Sequence, residues 1–316
     1  MPSIYMNDVL PTWLRWRSQG LACALVTLVR VDGSAPRPLG SQMAINERGD
    51  AVGKITGGCA EAAIIAEAQA RLAAGANRLL RYGKGSPYID IRLPCGSGID
   101  VFFDVHLGVA DIRRIVDANA ARETAWLAFD FAALRATTGT GDAPQDADYL
   151  RHCVPVTRIL AVGKGPLLPL IAKLASIAEF EVSVMSPEPE TLEMARPHAR
   201  EAHALSTPDA FHCGALDRWT AFLSLFHEHE WEPHVLAQAL ASRCFYVGAL
   251  GSRRTAAARR DTLRAAGVDD AAIARIHGPV GLTIGAKSPP EIALAILGEI
   301  VATLRGGSGV ATPPGA

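Results

Sequence analysis

Two cysteines stand on glycine-rich backbone, where a thiol is open to chemistry rather than packed away. In KITGGCAEAAIIAEA (residues 54–68), Cys59 follows Gly57 and Gly58 and precedes an alanine-rich run of high helical propensity. Amides at a helix start favour a thiolate and lower a thiol's pKa relative to a buried one. In LPCGSG (residues 93–98), Cys95 has an equally open backbone, with Gly96 directly behind it. Two accessible thiols of this kind suit soft ligation of a metal centre, persulfide handling or nucleophilic attack. A cysteine hydrolase would also need a positioned histidine base, and neither motif has one beside it.

Other segments could hold an anion. In VDGSAPRPLG (residues 31–40), Gly33 and Gly40 shape a loop that carries Ser34 and Arg37, and an arginine there can pair with phosphate. RILAVGKGP (residues 158–166) reads as a strand and a tight turn in which Gly163 and Gly165 let a phosphate approach the next helix start. Leu168 takes the place of the third glycine of a dinucleotide fingerprint, and the next strand ends in Ser186-Pro187-Glu188, so an NAD site would need a different ribose contact. GALGSRRT (residues 248–255) offers a second anion site at Gly251, Ser252 and Arg253, set against solvated surface charge. FHEHEWE (residues 226–232) puts His227 and His229 on one side of an extended segment and Glu228 and Glu230 on the other. Two such histidines ligate a metal only with a further ligand; otherwise they are hydrogen-bonded loop residues.

The elements that must position these residues follow from periodicity. An opening helix ends at Gly20, ALVTLVRV is a buried strand, and residues 61–74 form a helix with Ile64, Ile65, Ala68 and Leu72 on one face before Gly75. IDVFFDV is a strand behind the second cysteine loop. The fold class is α/β: a small N-terminal α+β domain (1–136), a polar linker (137–156), a Rossmann-like doubly wound parallel-sheet domain with a C-terminal helix (157–305), and a disordered tail (306–316). A net charge of −1 over 316 residues argues against nucleic acid, and no apolar run is long enough for a bilayer. The start lacks an export signal, so the reading is cytoplasmic. Six scattered cysteines without a CxxC pair argue against a structural zinc site, and Cys23 and Cys244 read as buried core.

Taken together, GSAPRPLGSQMAI, GKITGGCAEAAI, YIDIRLPCGSGIDVFF, LFHEHEWE, FYVGALGSRRT and GPVGLTIGAKSPPEIALAILGEI resemble the XdhC/CoxI family of xanthine dehydrogenase accessory proteins. The resemblance covers nearly the whole chain apart from the 137–156 segment and the tail. It implies a molybdenum cofactor (molybdopterin) chaperone: an accessory factor rather than a turnover enzyme, which binds the cofactor transiently, assists its sulfuration by a cysteine desulfurase and delivers it to a xanthine dehydrogenase-type apoenzyme. It also implies a cytoplasmic homodimer. The site residues carried with it are Cys59 and Cys95, either of them near molybdenum, and Gly33, Ser34, Arg37, Gly57, Gly58, Glu61, Gly96, Gly163, Gly165, Gly251, Ser252 and Arg253 around the cofactor. The family includes members with a paired cysteine in the second loop and members, as here, with a single one. The alternative is an NAD(P)-dependent oxidoreductase or a nucleotide-sensing module on the Rossmann-like domain.

Overall fold

Helix α1 (Leu10–Ser18) carries proline in its first turn, where no intrahelical N–H is lost, and stops before Gly20, whose φ of +83° ends the turn. The β-branched run after it forms β1 (Cys23–Asp32). The chain is seen in a computed structural model that describes residues 8–33, 37–58, 60–86, 97–212, 214, 216–226 and 231–306. It divides into two compact units, Met1–Pro155 and Val156–Ala316.

In the first unit, β1 is the centre of a five-stranded antiparallel sheet with β2 (Gln42–Asn46), β3 (Ala51–Gly53), β4 (Arg78–Gly83) and β5 (Gly98–Asp104), in the order β3-β2-β1-β5-β4. Alternation sorts β1 between two cores: Ala24, Val26 and Leu28 pack with Ile64 and Ala68 of α2 (Glu61–Ala74), and Cys23 and Leu25 pack on the other face. That second face is covered by α1, by α3 (Val109–Ala120) and by a smaller antiparallel sheet of β6 (Ala125–Asp130), β7 (Arg135–Thr140) and β8 (Tyr149–Cys153), ordered β7-β6-β8. Helix α2 ends as its sequence requires, with Gly75 left-handed at φ +60°.

The 137–156 segment is therefore not a free linker. Its residues 137–140 and 149–153 belong to β7 and β8, paired along both edges of β6. Its composition is loop-like because β7 is a largely solvated edge strand, and Gly139 is there for packing: a Cβ on it would lie 2.2 Å from the Trp126 ring.

The second unit is a six-stranded parallel sheet of β9 (Arg158–Gly163), β10 (Glu181–Ser186), β11 (Glu201–Ala204), β12 (Thr220–Leu225), β13 (Tyr246–Ala249) and β14 (Ile276–His277), in the order β11-β10-β9-β12-β13-β14. This is the doubly wound Rossmann arrangement, with its direction of winding reversed between β9 and β12. Side chains of α4 (Leu167–Ile177), α5 (Pro189–Ala195) and α9 (Pro289–Leu304) join the core on one face. Those of α6 (Glu232–Ala241), α7 (Arg253–Ala265) and α8 (Asp270–Ile273) join the core on the other. Among the described residues no helix is long and apolar enough to cross a membrane.

Candidate functional site

The antiparallel pairing of the five-stranded sheet decides where its loops emerge. Asp32 at the end of β1 pairs with Gly98 at the start of β5, and Gly98 in turn pairs with Gly83 at the end of β4. Thr27 pairs with Gln42 at the start of β2, and Met43 pairs with Gly53 at the end of β3. The segments 33–41, 54–60 and 84–97 thus leave the same end of one sheet. Gly53 and Gly98 are three strand steps apart, roughly 14 Å at about 4.8 Å per step. Cys59, Cys95, Ser34 and Gly96 themselves lie outside the described residues, as do 227–230 with both candidate histidines.

The loop before α2 is organised around Glu61. Its Oε1 accepts the amides of Ile55 (3.3 Å), Thr56 (2.8 Å) and Gly57 (3.0 Å), and its Oε2 accepts the Gly58 amide (2.7 Å) and the Thr56 hydroxyl (2.6 Å). Thr56 Oγ1 in turn accepts the Ala60 amide at 3.0 Å. Burial alone would raise the Glu61 carboxyl, but the Thr56 hydroxyl and these amides outweigh it and hold its pKa below the ordinary carboxylate value. Gly57 and Gly58, expected beside the cofactor, have their N–H groups taken by Glu61. The positive end of α2 that the sequence reading gave to a thiolate is already facing a carboxylate. What the arrangement supplies is a fixed loop, since Gly57 and Gly58 at φ +81° and +129° adopt backbone that other residues rarely do.

At the same end of the sheet, the bases of the other two loops are joined by charge. Arg81 Nη1 donates to Asp100 Oδ1 at 3.0 Å, Nη2 to Asp32, and Nε to the Lys84 carbonyl at 2.8 Å, while Arg30 reaches Asp100 Oδ2 at 3.3 Å. Gly98 is required beneath this cluster, because a Cβ would come within 2.5 Å of Arg81 Nη2 and 2.6 Å of the Lys84 carbonyl oxygen. A Cβ on Gly33 would lie 3.5 Å from Ser97 Cβ, so Gly33 is beside the foot of the second cysteine loop.

Beside the loop that brings the chain into β2 is a cavity of about 250 Å³ lined by residues 37–42 and 149–152. It joins Arg37, a residue singled out from sequence, to Tyr149, Arg151 and His152 of β8, which sequence reasoning missed because their segment was read as linker. Arg151 Nε donates to the Gly40 carbonyl at 2.8 Å, and its Nη1 is 2.8 Å from Cys153 Sγ. Gly40, at φ +82°, has room for no side chain: a Cβ would lie 2.8 Å from the Tyr149 hydroxyl.

In the second unit the expected phosphate turn is differently used. Gly163 is needed because β9 and β12 close on each other, a Cβ there meeting Leu225 at 2.6 Å. The Gly165 amide, at the turn expected to admit a phosphate, donates to Glu188 Oε2 at 2.9 Å and to Thr191 Oγ1 at 3.2 Å. Hydrogen bonds from the Thr191 hydroxyl and the Gly165 amide keep the Glu188 carboxyl below its ordinary pKa. At the other candidate turn, Ser252 caps α7 by accepting the Thr255 amide at 3.1 Å, and Arg253 is exposed at the helix start. Gly251 has little room, since a Cβ would meet Thr255 at 3.0 Å and Arg259 Nη2 at 3.2 Å. That Arg259 is buried, with Nη2 donating to Glu232 Oε1 at 2.8 Å and to the Leu250 carbonyl at 2.5 Å. Its sequence signal was only an arginine on the apolar stripe of a helix. Among the described residues no group of three or more His, Cys, Asp or Glu side chains is arranged to hold a metal ion.

The sequence matches the family model described as "XdhC and CoxI family" over residues 16–83 and the one described as "XdhC Rossmann domain" over 159–300. It is 30% identical over 306 residues to a protein of Escherichia coli (strain K12) named molybdenum cofactor insertion chaperone PaoD, an alignment covering 94% of this chain and 89% of that protein. The chain belongs to the XdhC/CoxI family. It also resembles a Bacillus subtilis (strain 168) protein whose name makes it a probable xanthine dehydrogenase subunit; the two are 23% identical over 89% of this chain and 93% of the other. A crystal structure of a Bacillus halodurans protein, named a xanthine dehydrogenase, superposes with a TM-score of 0.77 at 20% identity, covering 97% of this chain and 98% of that one; it shares the fold.

In this XdhC/CoxI chain the remaining described thiols are core residues. Cys23, Cys153 and Cys244 are buried and free. Burial pushes the Cys23 thiol up to about 11 and raises those of Cys153 and Cys244. A maleimide pulse at pH 7.5 followed by peptide mass mapping is expected to leave all three unmodified in the native protein and to label them after unfolding in urea. Native labelling of any of them would show that its burial is not maintained in solution.

Proposed function

We propose that this protein is a chaperone for the molybdenum cofactor, which it holds as cargo, presents for sulfuration by a cysteine desulfurase and inserts into a xanthine dehydrogenase-type apoenzyme. The observation that carries this reading is the convergence of the three loop segments 33–41, 54–60 and 84–97 at one end of the first unit's sheet. The feet of both cysteine segments leave that end roughly 14 Å apart, and the segment that carries Arg37 leaves it between them. The similarity to the chaperone PaoD over nearly the whole chain supports the same reading. The cofactor fits the residues in chemical terms: its phosphate and polar pterin suit arginine and backbone donors, and a thiolate is a soft ligand for its metal.

Each residue then has a part. Glu61 sets the backbone of the Cys59 loop by holding four consecutive loop amides, and the Arg81 cluster anchors the feet of the Gly33 and Cys95 segments. Cys59 is the first choice for contact with the cargo, with Cys95 the second. The chain acts in the cytoplasm as a homodimer and releases its cargo without independent turnover.

To test this, the purified protein is loaded with molybdenum cofactor, and retained molybdenum and its transfer to an apo-hydroxylase are measured. Wild-type protein should retain and transfer the cargo. Cys59→Ala should cut transfer by about tenfold or more, with a smaller loss for Cys95→Ala. Full transfer by the Cys59→Ala, Cys95→Ala double variant would remove the thiols from the mechanism.

The strand order of the second unit favours a second reading, a nucleotide-sensing module or NAD(P)-dependent oxidoreductase. Its glycine-turn amide is held by Glu188, which a dinucleotide phosphate would have to displace. A saturable NAD(P)H fluorescence signal with turnover would favour the oxidoreductase, and a saturable signal without it the sensing module.

A further inference from the structure

The cavity between residues 37–42 and 149–152 has a charge pattern that the fold alone does not require. Its lining carries Arg37, Arg151 and His152 and no carboxylate, in a chain whose formal net charge is −1. Asp8, the acid whose charge acts on Arg151, is not among the lining residues, and its Oδ1 accepts the Leu10 amide at 3.1 Å.

Arg151 is also held in position before any ligand arrives. Its Nε is fixed on the Gly40 carbonyl and its Nη1 on Cys153 Sγ, each at 2.8 Å, which among the described residues leaves the second terminal nitrogen for another acceptor. An arginine whose rotamers are already restricted loses less entropy on binding than a free surface one. Gly40, where no Cβ fits, lets the Tyr149 phenol and the Arg151 stem lie directly on the loop backbone.

We propose that this cavity is a binding site for a phosphate-class dianion, with Arg151 as its positioned donor, Arg37 as a further cationic wall and His152 as a polar lining residue. The assignment of the site to a phosphomonoester on the cargo rests on the chaperone reading; the anion site does not. About 250 Å³ accommodates a phosphate and leaves room for the first atoms of whatever carries it.

The experiment is a titration of the full chain followed by backbone amide NMR at constant ionic strength, with inorganic phosphate in one arm and glycerol phosphate in the other. Saturable shifts centred on Gly40, Ser41 and His152 are expected. Arg37→Gln and Arg151→Lys should each weaken binding by about tenfold or more, while Arg113→Gln, an equal charge change on exposed α3, should not. Arg37→Gln keeps the test open if Arg151→Lys disturbs folding, which far-UV circular dichroism would reveal. Tighter glycerol phosphate assigns the site to a phosphomonoester and tighter inorganic phosphate to the free ion. Linear shifts that do not saturate, or equal weakening by Arg113→Gln, would overturn the proposal. Anion binding without cofactor retention would overturn the chaperone reading alone, and retention without anion binding would overturn this site alone.

Discussion

Replacing Glu61 with alanine is expected to destabilise the first unit by about 3–4 kcal/mol, read as a fall in the urea midpoint at unchanged slope. The carboxylate is the common acceptor for the amides of Ile55, Thr56, Gly57 and Gly58 and for the Thr56 hydroxyl. Gly57 and Gly58 are exposed, so water can replace the acceptor there; Ile55 and Thr56 are buried and would be left without one. The loss should therefore be smaller than the sum of the separate bonds. Glu61→Gln keeps one carbonyl oxygen but turns an NH2 group toward donors, and about 2 kcal/mol is expected.

The same residue sets a pH dependence. Its folded-state pKa lies below the ordinary value of 4.5, so its contribution is complete above that value and is lost as pH falls through the folded-state pKa. Wild-type stability should fall with acidification below about pH 4.5, and Glu61→Gln should have a shallower fall over that interval. Equal slopes for the two proteins would mean that the carboxylate does not carry the loop. Hydrogen exchange of the Thr56, Gly57 and Gly58 amides in Glu61→Gln should rise by about tenfold or more if the loop opens locally.

The second large effect belongs to the pair Arg259 and Glu232, which joins α7 to α6 beneath the Leu250 carbonyl. Both side chains are buried, and Arg259 Nε and Nη1 are buried without an acceptor among the described residues. Arg259→Met leaves the Glu232 charge with no counterion inside the core, and a loss of about 3–5 kcal/mol in the second unit is expected. Because the guanidinium is only partly satisfied, the pair itself adds little net stability. Arg259→Met with Glu232→Leu should recover most of the loss, and thermal and urea unfolding of the two single variants and the double variant would measure the coupling. A double variant as unstable as the sum of the singles would mean zero coupling and would show that Arg259 and Glu232 do not act as a pair.

Much of the fold was legible in the sequence, for reasons visible at particular residues. Ile64 and Ala68 recur at helical spacing and Gly75 ends α2; the β-branched run ALVTLVRV is a buried strand; RILAVG followed by a glycine turn and an apolar helix is a βαβ opening. Each of these signals is contained within a dozen or so residues. The polar edge strand β7 was not legible, because an edge strand with one solvated face has the composition of a loop. Short β11 and β14 left no clear period, because so few residues cannot display one.

The site divides along the same line. Sequence by itself determined which residue types stand at the loop tips, the glycines that permit their backbone and the arginine beside them, since propensity and permitted φ are local properties. Only the tertiary structure decided which donors remain for a ligand. Glu61 takes the amides of Gly57 and Gly58, Glu188 reaches from the end of β10 to Gly165, and Arg151 comes 111 residues along the chain to the Gly40 carbonyl. A hydrogen bond selects its partner by position and orientation within about 3 Å, and neither is written in the order of the residues until the sheets have brought them together.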